Sequence, residues 1–208
     1  MNFKALTLAA VTAAVSIAAA PAAEARKLTC VGLRGQAYSD CFTERFYNPY
    51  VGEPSGYQVD AAHKALIDAV TSTGVKFKIN PKECFGKNVF GWYWSRKNEM
   101  VVCQERKERV GVETSWTDED LDTLRHETQH LTQDCMDGSQ NGSLGSVYED
   151  PFALAKSVLS QNKIEWIAKT YSEDGASNHM ITLELEAFSV AAMNDPAEQV
   201  RDVQKYCF

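Results

Sequence analysis

The sequence predicts an α+β fold in which a small antiparallel sheet packs against one helix and a helical C-terminal half. Three observations predict it. Aromatic and β-branched runs between residues 75 and 104 have the composition of strands. Apolar residues recur at helical spacing through much of residues 117–206. Strands followed by a run of helices are typical of α+β proteins.

The first half of the chain supplies one predicted helix and three predicted strands. Gln58 to Thr71 carries apolar residues at a spacing near 3.6, so it predicts a helix. Val75 to Ile79 alternates apolar and basic residues, which indicates a strand. Val89 to Ser95 and Met100 to Gln104 flank the polar segment Arg96 to Glu99. This arrangement predicts an antiparallel hairpin.

The second half is predicted to be mostly helical. One helix begins near Thr117 and ends before Gly138, and a loop rich in Gly and Ser follows it. Pro196 lies just inside the start of the last helix, where the missing N–H is not needed. Helical patterns after the loop cover about residues 150–160, 162–172, 179–193 and 196–206.

The N-terminus has the pattern of an export signal. Lys4 precedes an apolar run from Ala5 to Ala20, and Ala23-Glu24-Ala25 resembles a small-x-small cleavage site. We therefore expect residues 1–25 to be a signal peptide and residues 26–208 to form a single domain. Cleavage is expected after Ala25, with Ala20 and Ala23 as the alternative positions. The alternative is an uncleaved N-terminal anchor. Cleavage predicts a secreted or periplasmic protein with no stable membrane insertion.

Six cysteines follow the expected cleavage site, and no two form a Cys-x-x-Cys pair. In an exported protein, an even number of cysteines favours disulfides over a thiolate metal cage. Proximity along the chain favours the pairs Cys30–Cys41 and Cys84–Cys103, which leaves Cys135 to pair with Cys207.

The overall charge argues against a nucleic-acid partner. The chain has a formal net charge of −7. The basic cluster Arg106 to Arg109 is interrupted by Glu108 and has no interleaved aromatic residues. A solvated loop or strand end is the simpler interpretation of this cluster.

The segment His126-Glu127-Thr128-Gln129-His130 carries the strongest chemical signal. Two histidines four residues apart lie one turn apart on a helix, so both can bind one metal ion. The metal makes a bound water acidic, and Glu127 is placed to accept its proton. His126 and His130 are therefore candidate metal ligands, and Glu127 is the candidate general base.

The surrounding pattern supports a helix with two distinct faces. Thr117 can cap its start, and the acidic residues that follow complement the positive helix end. With Leu124 at 0°, the apolar stripe falls between about −20° and +60°, whereas His126 and His130 fall at about 200° and 240°. The imidazoles are thus expected to face a cleft on the side opposite the core. Two ordinary surface histidines are the alternative.

A catalytic zinc takes three protein ligands in most cases. With Glu184 at 0° on the downstream helix, Ile181, Phe188 and Ala191 lie within about 60° of it. Glu186 falls on the polar side at about 200°, so it is expected to point to water. A carboxylate among apolar residues is costly unless it is paired or bound to metal. Glu184 is therefore the preferred third ligand. Glu186 and His179 remain alternatives, as does a salt bridge from Glu184 to Arg125 or a lysine.

At these residues the chain resembles the zincin metallopeptidases, and among them the gluzincins, whose third ligand is a glutamate. The resemblance covers about residues 89–193 and rests on His126 to His130 and on Glu184-Leu185-Glu186-Ala187. It implies a zincin-like fold and a zinc (Zn2+) cofactor held by His126, His130 and Glu184. Where related families often have Asp or Asn, this chain has Phe188. A partner for a zinc-bound histidine is then missing or comes from elsewhere.

The resemblance implies hydrolysis of a peptide or protein substrate lying extended along the edge strand of the hairpin. Tyr171, Tyr148 or His179 could donate to the oxyanion. Two other functions remain open: a zincin-like module that binds without catalysis, and a zinc amidase acting on a non-protein amide. Glu127 favours an enzyme, because a site that only binds metal needs no base. The sequence leaves the oligomeric state open.

Overall fold

A computed structural model describes residues 59–86, 89–136 and 140–208. The expected signal peptide, the segment up to residue 58 and the expected Cys30–Cys41 pair lie outside these ranges. Within them the fold is α+β, as predicted, with six α-helices and a three-stranded sheet. None of the helices in these ranges has the length and apolar composition needed to cross a bilayer.

The elements follow the predicted order closely. The strands are β1, Lys76–Ile79; β2, Gly91–Trp94; and β3, Glu99–Val102. Short 3-10 turns occupy Lys82–Cys84 and Ser95–Lys97. The helices are α1, Ala61–Ser72; α2, Asp118–Asp134; α3, Pro151–Val158; α4, Gln161–Glu173; α5, Asn178–Met193; and α6, Pro196–Tyr206.

Side-chain caps define where the helices begin. Asp60 accepts hydrogen bonds from the N–H groups of Ala62 and His63, so α1 begins later than the predicted Gln58. Thr117 and Asp120 form a reciprocal capping box at the start of α2. Pro196 occupies the first turn of α6, as predicted.

The prediction of an antiparallel sheet is wrong for one strand. The β2–β3 hairpin is antiparallel, but β1 pairs with β3 in parallel, so the sheet is mixed with the order β1-β3-β2. Burial explains the central position of β3. Met100, Val101 and Val102 are fully buried. Because their apolar side chains point to both faces of the sheet, β3 is stable where both of its faces are covered, as in the centre of the sheet.

The main core lies between the sheet and helices α1 and α2. It contains Leu66 and Val70 of α1, Met100 of β3, and Leu124 and Leu131 of α2. The leucines of α2 belong to the apolar stripe predicted from the sequence. The opposite side of α2 packs against α5, and α6 also contacts α2. Helix α2 is therefore enclosed from several directions.

Two of the three predicted disulfides lie in the described residues, and both are present. Cys84 bonds to Cys103, with their Cα atoms 5.4 Å apart. Cys135, at the end of α2, bonds to Cys207, just after α6, with a Cα–Cα distance of 5.0 Å. The second bond attaches the segment that follows α6 to the helix that carries the candidate site.

Candidate metal centre

Helices α2 and α5 bring the three preferred ligands together. His126 and His130 lie one turn apart on α2, and Glu184 lies on the facing side of α5. Their side chains are 12%, 10% and 10% exposed respectively. The imidazoles face α5, which packs against that side of α2, and the expected cleft stays a prediction.

The distances among the ligand atoms fit one metal ion. Nε2 of His126 lies 3.1 Å from Nε2 of His130. The His126 Nε2 lies 3.3 Å from Oε2 of Glu184, and the His130 Nε2 lies 3.5 Å from Oε1 of the same carboxylate. Ligands at zinc bonding distance around a tetrahedral centre are about 3.3 Å apart. Among the described atoms, Oε2 of Glu184 is buried without a hydrogen-bond partner. The donor set and its spacing fit a divalent metal that accepts nitrogen and oxygen ligands.

The electrostatics of the three side chains are strongly coupled. Burial by itself lowers the pKa of His130, but the carboxylates of Glu184 and Glu127 outweigh it and raise that pKa to about 9. Burial by itself raises the pKa of Glu184, but the two imidazoles hold it well below its ordinary value. The cluster therefore favours a negative Glu184 facing positive charge, which a metal cation also supplies.

Glu127 is almost completely buried, with 7% of its surface exposed. Burial raises the pKa of its carboxyl, and the nearby imidazoles oppose that rise. The backbone N–H of Tyr93 in strand β2 lies close enough to the carboxyl to lower its pKa as well. A raised carboxyl pKa lies closer to neutral pH, which suits a group that accepts a proton and later returns it.

Strand β2 approaches α2 so closely that Gly91 has no room for a side chain. A Cβ at Gly91 would lie 2.6 Å from Cγ2 of Thr123, 2.6 Å from the Val101 carbonyl oxygen and 3.4 Å from Cγ of Glu127. The glycine therefore sets the distance between the edge strand and the candidate base.

The alternatives for the third ligand lie elsewhere. His179 is exposed, and its Nε2 contacts the carbonyl oxygen of Leu144. Arg125 hydrogen-bonds to the Ala191 carbonyl, His63 and Asp122, so it is engaged away from Glu184.

The prediction that Glu186 points to water is wrong, because its side chain is fully buried. A helical wheel with one buried face fails for α5, which packs against α2, α3 and α4. The Glu186 carboxylate accepts hydrogen bonds from five groups: the Gln129 and Gln133 amides, the Ser146 hydroxyl, and the N–H groups of Val147 and Tyr148. It thereby attaches the 146–148 loop to both helices.

The two histidines have different surroundings. Nδ1 of His130 lies 2.8 Å from Oε1 of Gln133, a contact that the sequence analysis missed although Gln133 follows His130 by three residues on the same helix. Nδ1 of His126 is buried without a hydrogen-bond partner among the described residues. Phe188 packs against the His126 ring, with ring centroids 4.5 Å apart. Phe188 cannot hydrogen-bond to a metal-bound histidine. Gln133 provides such a partner to His130, and His126 has none among the described residues.

Of the three candidate oxyanion donors, Tyr171 is the one next to the cluster. Burial and the Glu184 carboxylate both raise the pKa of its hydroxyl, which remains protonated and able to donate. The Tyr148 hydroxyl instead lies near Asp202 and Glu198. These positions leave Tyr171 as the candidate that faces the ligands.

The chain belongs to a family described as a domain of unknown function, DUF8637, which matches residues 57–208. The matched range includes all the helices and strands described above, together with His126, Glu127, His130 and Glu184. No curated protein and no solved structure matches the chain.

Proposed function

We propose that this protein is a secreted, zinc-dependent metallopeptidase of the gluzincin type with a zincin-like fold. The observation that carries the proposal is the convergence of His126, His130 and Glu184. The two Nε2 atoms are 3.1 Å apart, and each lies 3.3 or 3.5 Å from a different oxygen of the Glu184 carboxylate, close to the spacing of about 3.3 Å between ligands of a tetrahedral zinc. Two imidazoles and one carboxylate form the ligand set of several catalytic zinc sites, in which a fourth position is left for water.

Zinc in this position would make water acidic and polarise a substrate carbonyl. Glu127 would accept the proton from that water and pass it to the leaving amine. Burial raises the pKa of Glu127 and so brings it nearer to neutral pH, which supports this role. Tyr171, with its protonated hydroxyl beside Glu184, would donate to the oxyanion.

A peptide or protein substrate would bind beside strand β2. This strand is at the edge of the sheet and pairs with β3 on one side. Its Tyr93 N–H reaches Glu127, so the edge lies directly beside the candidate base. An extended peptide could add to such an edge by backbone hydrogen bonds.

Secretion or periplasmic export is supported by the two disulfides, Cys84–Cys103 and Cys135–Cys207, since disulfides persist mainly in oxidising compartments. The sequence of residues 1–25, with its basic start and apolar run, is consistent with the same destination.

The test is a digest of a diverse peptide library by the zinc-loaded protein and by Glu127→Gln. We expect the wild type to cleave peptides. The variant should keep its zinc and lose cleavage by a factor of about 100 or more, the lower range for general acid–base catalysis. If the wild type binds zinc and cleaves no peptide, the peptidase proposal fails and a silent binding module takes its place. Release of amino sugars from cell-wall material without peptide cleavage would identify an amidase instead.

A further inference from the structure

The side-chain amide of Gln133 lies at the junction of the two ligand-bearing helices. It is fully buried, and it has three polar neighbours. Its Oε1 lies 2.8 Å from Nδ1 of His130, and its Nε2 lies 3.0 Å from both the Leu183 carbonyl oxygen and Oε1 of Glu186. Leu183 directly precedes the ligand Glu184 on α5.

The chemistry of the Leu183 contact fixes the orientation of the Gln133 amide. A backbone carbonyl can only accept a hydrogen bond, so the group that faces Leu183 must be the NH2 of Gln133. The amide oxygen then faces His130 and can only accept. Nδ1 of His130 must therefore carry a proton, and the lone pair of the neutral ring lies on Nε2, the atom that faces His126 and Glu184.

We infer that Gln133 is a positioning residue for the metal centre: it selects the His130 tautomer whose Nε2 can bind the ion. This inference rests on the proposed zinc site. It distinguishes the two histidines, because Nδ1 of His126 has no hydrogen-bond partner among the described residues. Removing hydrogen-bond partners of metal-bound histidines lowers metal affinity about 10- to 100-fold.

The chain offers a matched control. Gln129 lies on the same helix, is also fully buried, and donates its Nε2 to the same oxygen of Glu186 at 2.8 Å. Gln129→Met and Gln133→Met each remove one amide donor from Glu186, but only the second removes the acceptor from His130. Gln133→Glu keeps an oxygen for the His130 N–H while losing both donated hydrogen bonds.

The experiment measures the zinc dissociation constant of the four proteins by competition with a chromophoric chelator, with urea unfolding of each as a check on folding. We expect Gln133→Met to bind zinc about 10- to 100-fold more weakly. Gln129→Met should bind like the wild type, and Gln133→Glu should bind more tightly than Gln133→Met. Equal affinities for the two methionine variants, or a Gln133→Glu variant that binds as weakly as Gln133→Met, would overturn the inference. A wild type that binds no zinc would overturn the proposed function and the inference with it.

A measurement on the zinc-loaded wild type guards against variants that do not fold. Long-range 1H–15N correlation spectra report which ring nitrogen carries the proton. We expect a protonated His130 Nδ1 whose hydrogen exchanges more slowly with solvent than that of His126. A His130 ring without a proton on Nδ1, or two ring protons that exchange equally fast, would contradict a role for Gln133.

Discussion

Replacing Gly91 with alanine should separate strand β2 from the candidate base. The new Cβ would lie 2.6 Å from both Cγ2 of Thr123 and the carbonyl oxygen of Val101, well inside van der Waals contact. The carbonyl is backbone of the neighbouring strand, so a rotamer change cannot relieve that contact. Overpacking of this kind costs about 1–3 kcal/mol. We expect the free energy of unfolding to fall by that amount.

The same displacement should affect activity more than zinc binding. The backbone N–H of Tyr93, two residues along β2, lies near the Glu127 carboxyl, whereas β2 carries none of the three candidate metal ligands, which lie on α2 and α5. Gly91→Ala should therefore retain zinc and lose peptide cleavage. Urea unfolding with intact disulfides measures the stability. Metal analysis measures the bound zinc, and a peptide digest measures cleavage.

Thr123→Ser provides a second arm, because it removes the methyl group that the new Cβ would contact. In a double-mutant cycle, Thr123→Ser should restore part of the stability lost in Gly91→Ala, and the contact with the Val101 carbonyl should account for the rest. A Gly91→Ala protein as stable and as active as the wild type would refute the close packing of β2 on α2. Strict additivity of the two substitutions would refute the assignment of the contact to Thr123.

Two further predictions concern parts of the fold outside the metal cluster. Replacing Cys135 and Cys207 with serine should lower the unfolding free energy by about 4 kcal/mol in the chain-entropy treatment, because the bond spans 72 residues; a urea midpoint equal to that of the wild type would contradict this. Burial and the facing Arg125 guanidinium lower the pKa of His63, although the Asp60 carboxylate opposes this shift. The contribution of neutral His63 to the stability of the fold is therefore complete above the unfolded pKa of about 6.5, and it is lost as the pH falls towards the folded pKa. His63→Gln should therefore show a smaller loss of stability between about pH 7 and pH 5 than the wild type, and parallel urea midpoints for the two proteins would count against this role.

The local features of the site were predictable from the sequence because they depend on one helix. The spacing of His126 and His130, and the cap at Thr117, follow from helical geometry alone. The two described disulfides also follow from chain proximity and number. Glu184 was selected because a carboxylate among apolar residues requires a partner, and the structure places it beside both histidines.

The features that sequence reasoning missed depend on how several elements pack together. Glu186 was assigned to solvent because a helical wheel assumes one buried face, whereas α5 is covered by three other helices. The spacing of Gln133 three residues after His130 allows their contact, but the orientation of the Gln133 amide depends on the Leu183 carbonyl of α5. The parallel pairing of β1 arises because β3 is the central strand. The alternation of apolar and basic residues within β1 does not show which strand it pairs with.

The central claim is that His126, His130 and Glu184 hold one zinc ion, and metal analysis of the purified protein tests it most directly. We expect about one zinc per chain in the wild type, the ratio for a single catalytic site. The same ratio should hold in His179→Ala, which removes an exposed histidine outside the cluster, and zinc should be lost in His130→Ala. Absence of zinc from the wild type after reconstitution, or equal zinc in all three proteins, would contradict the account.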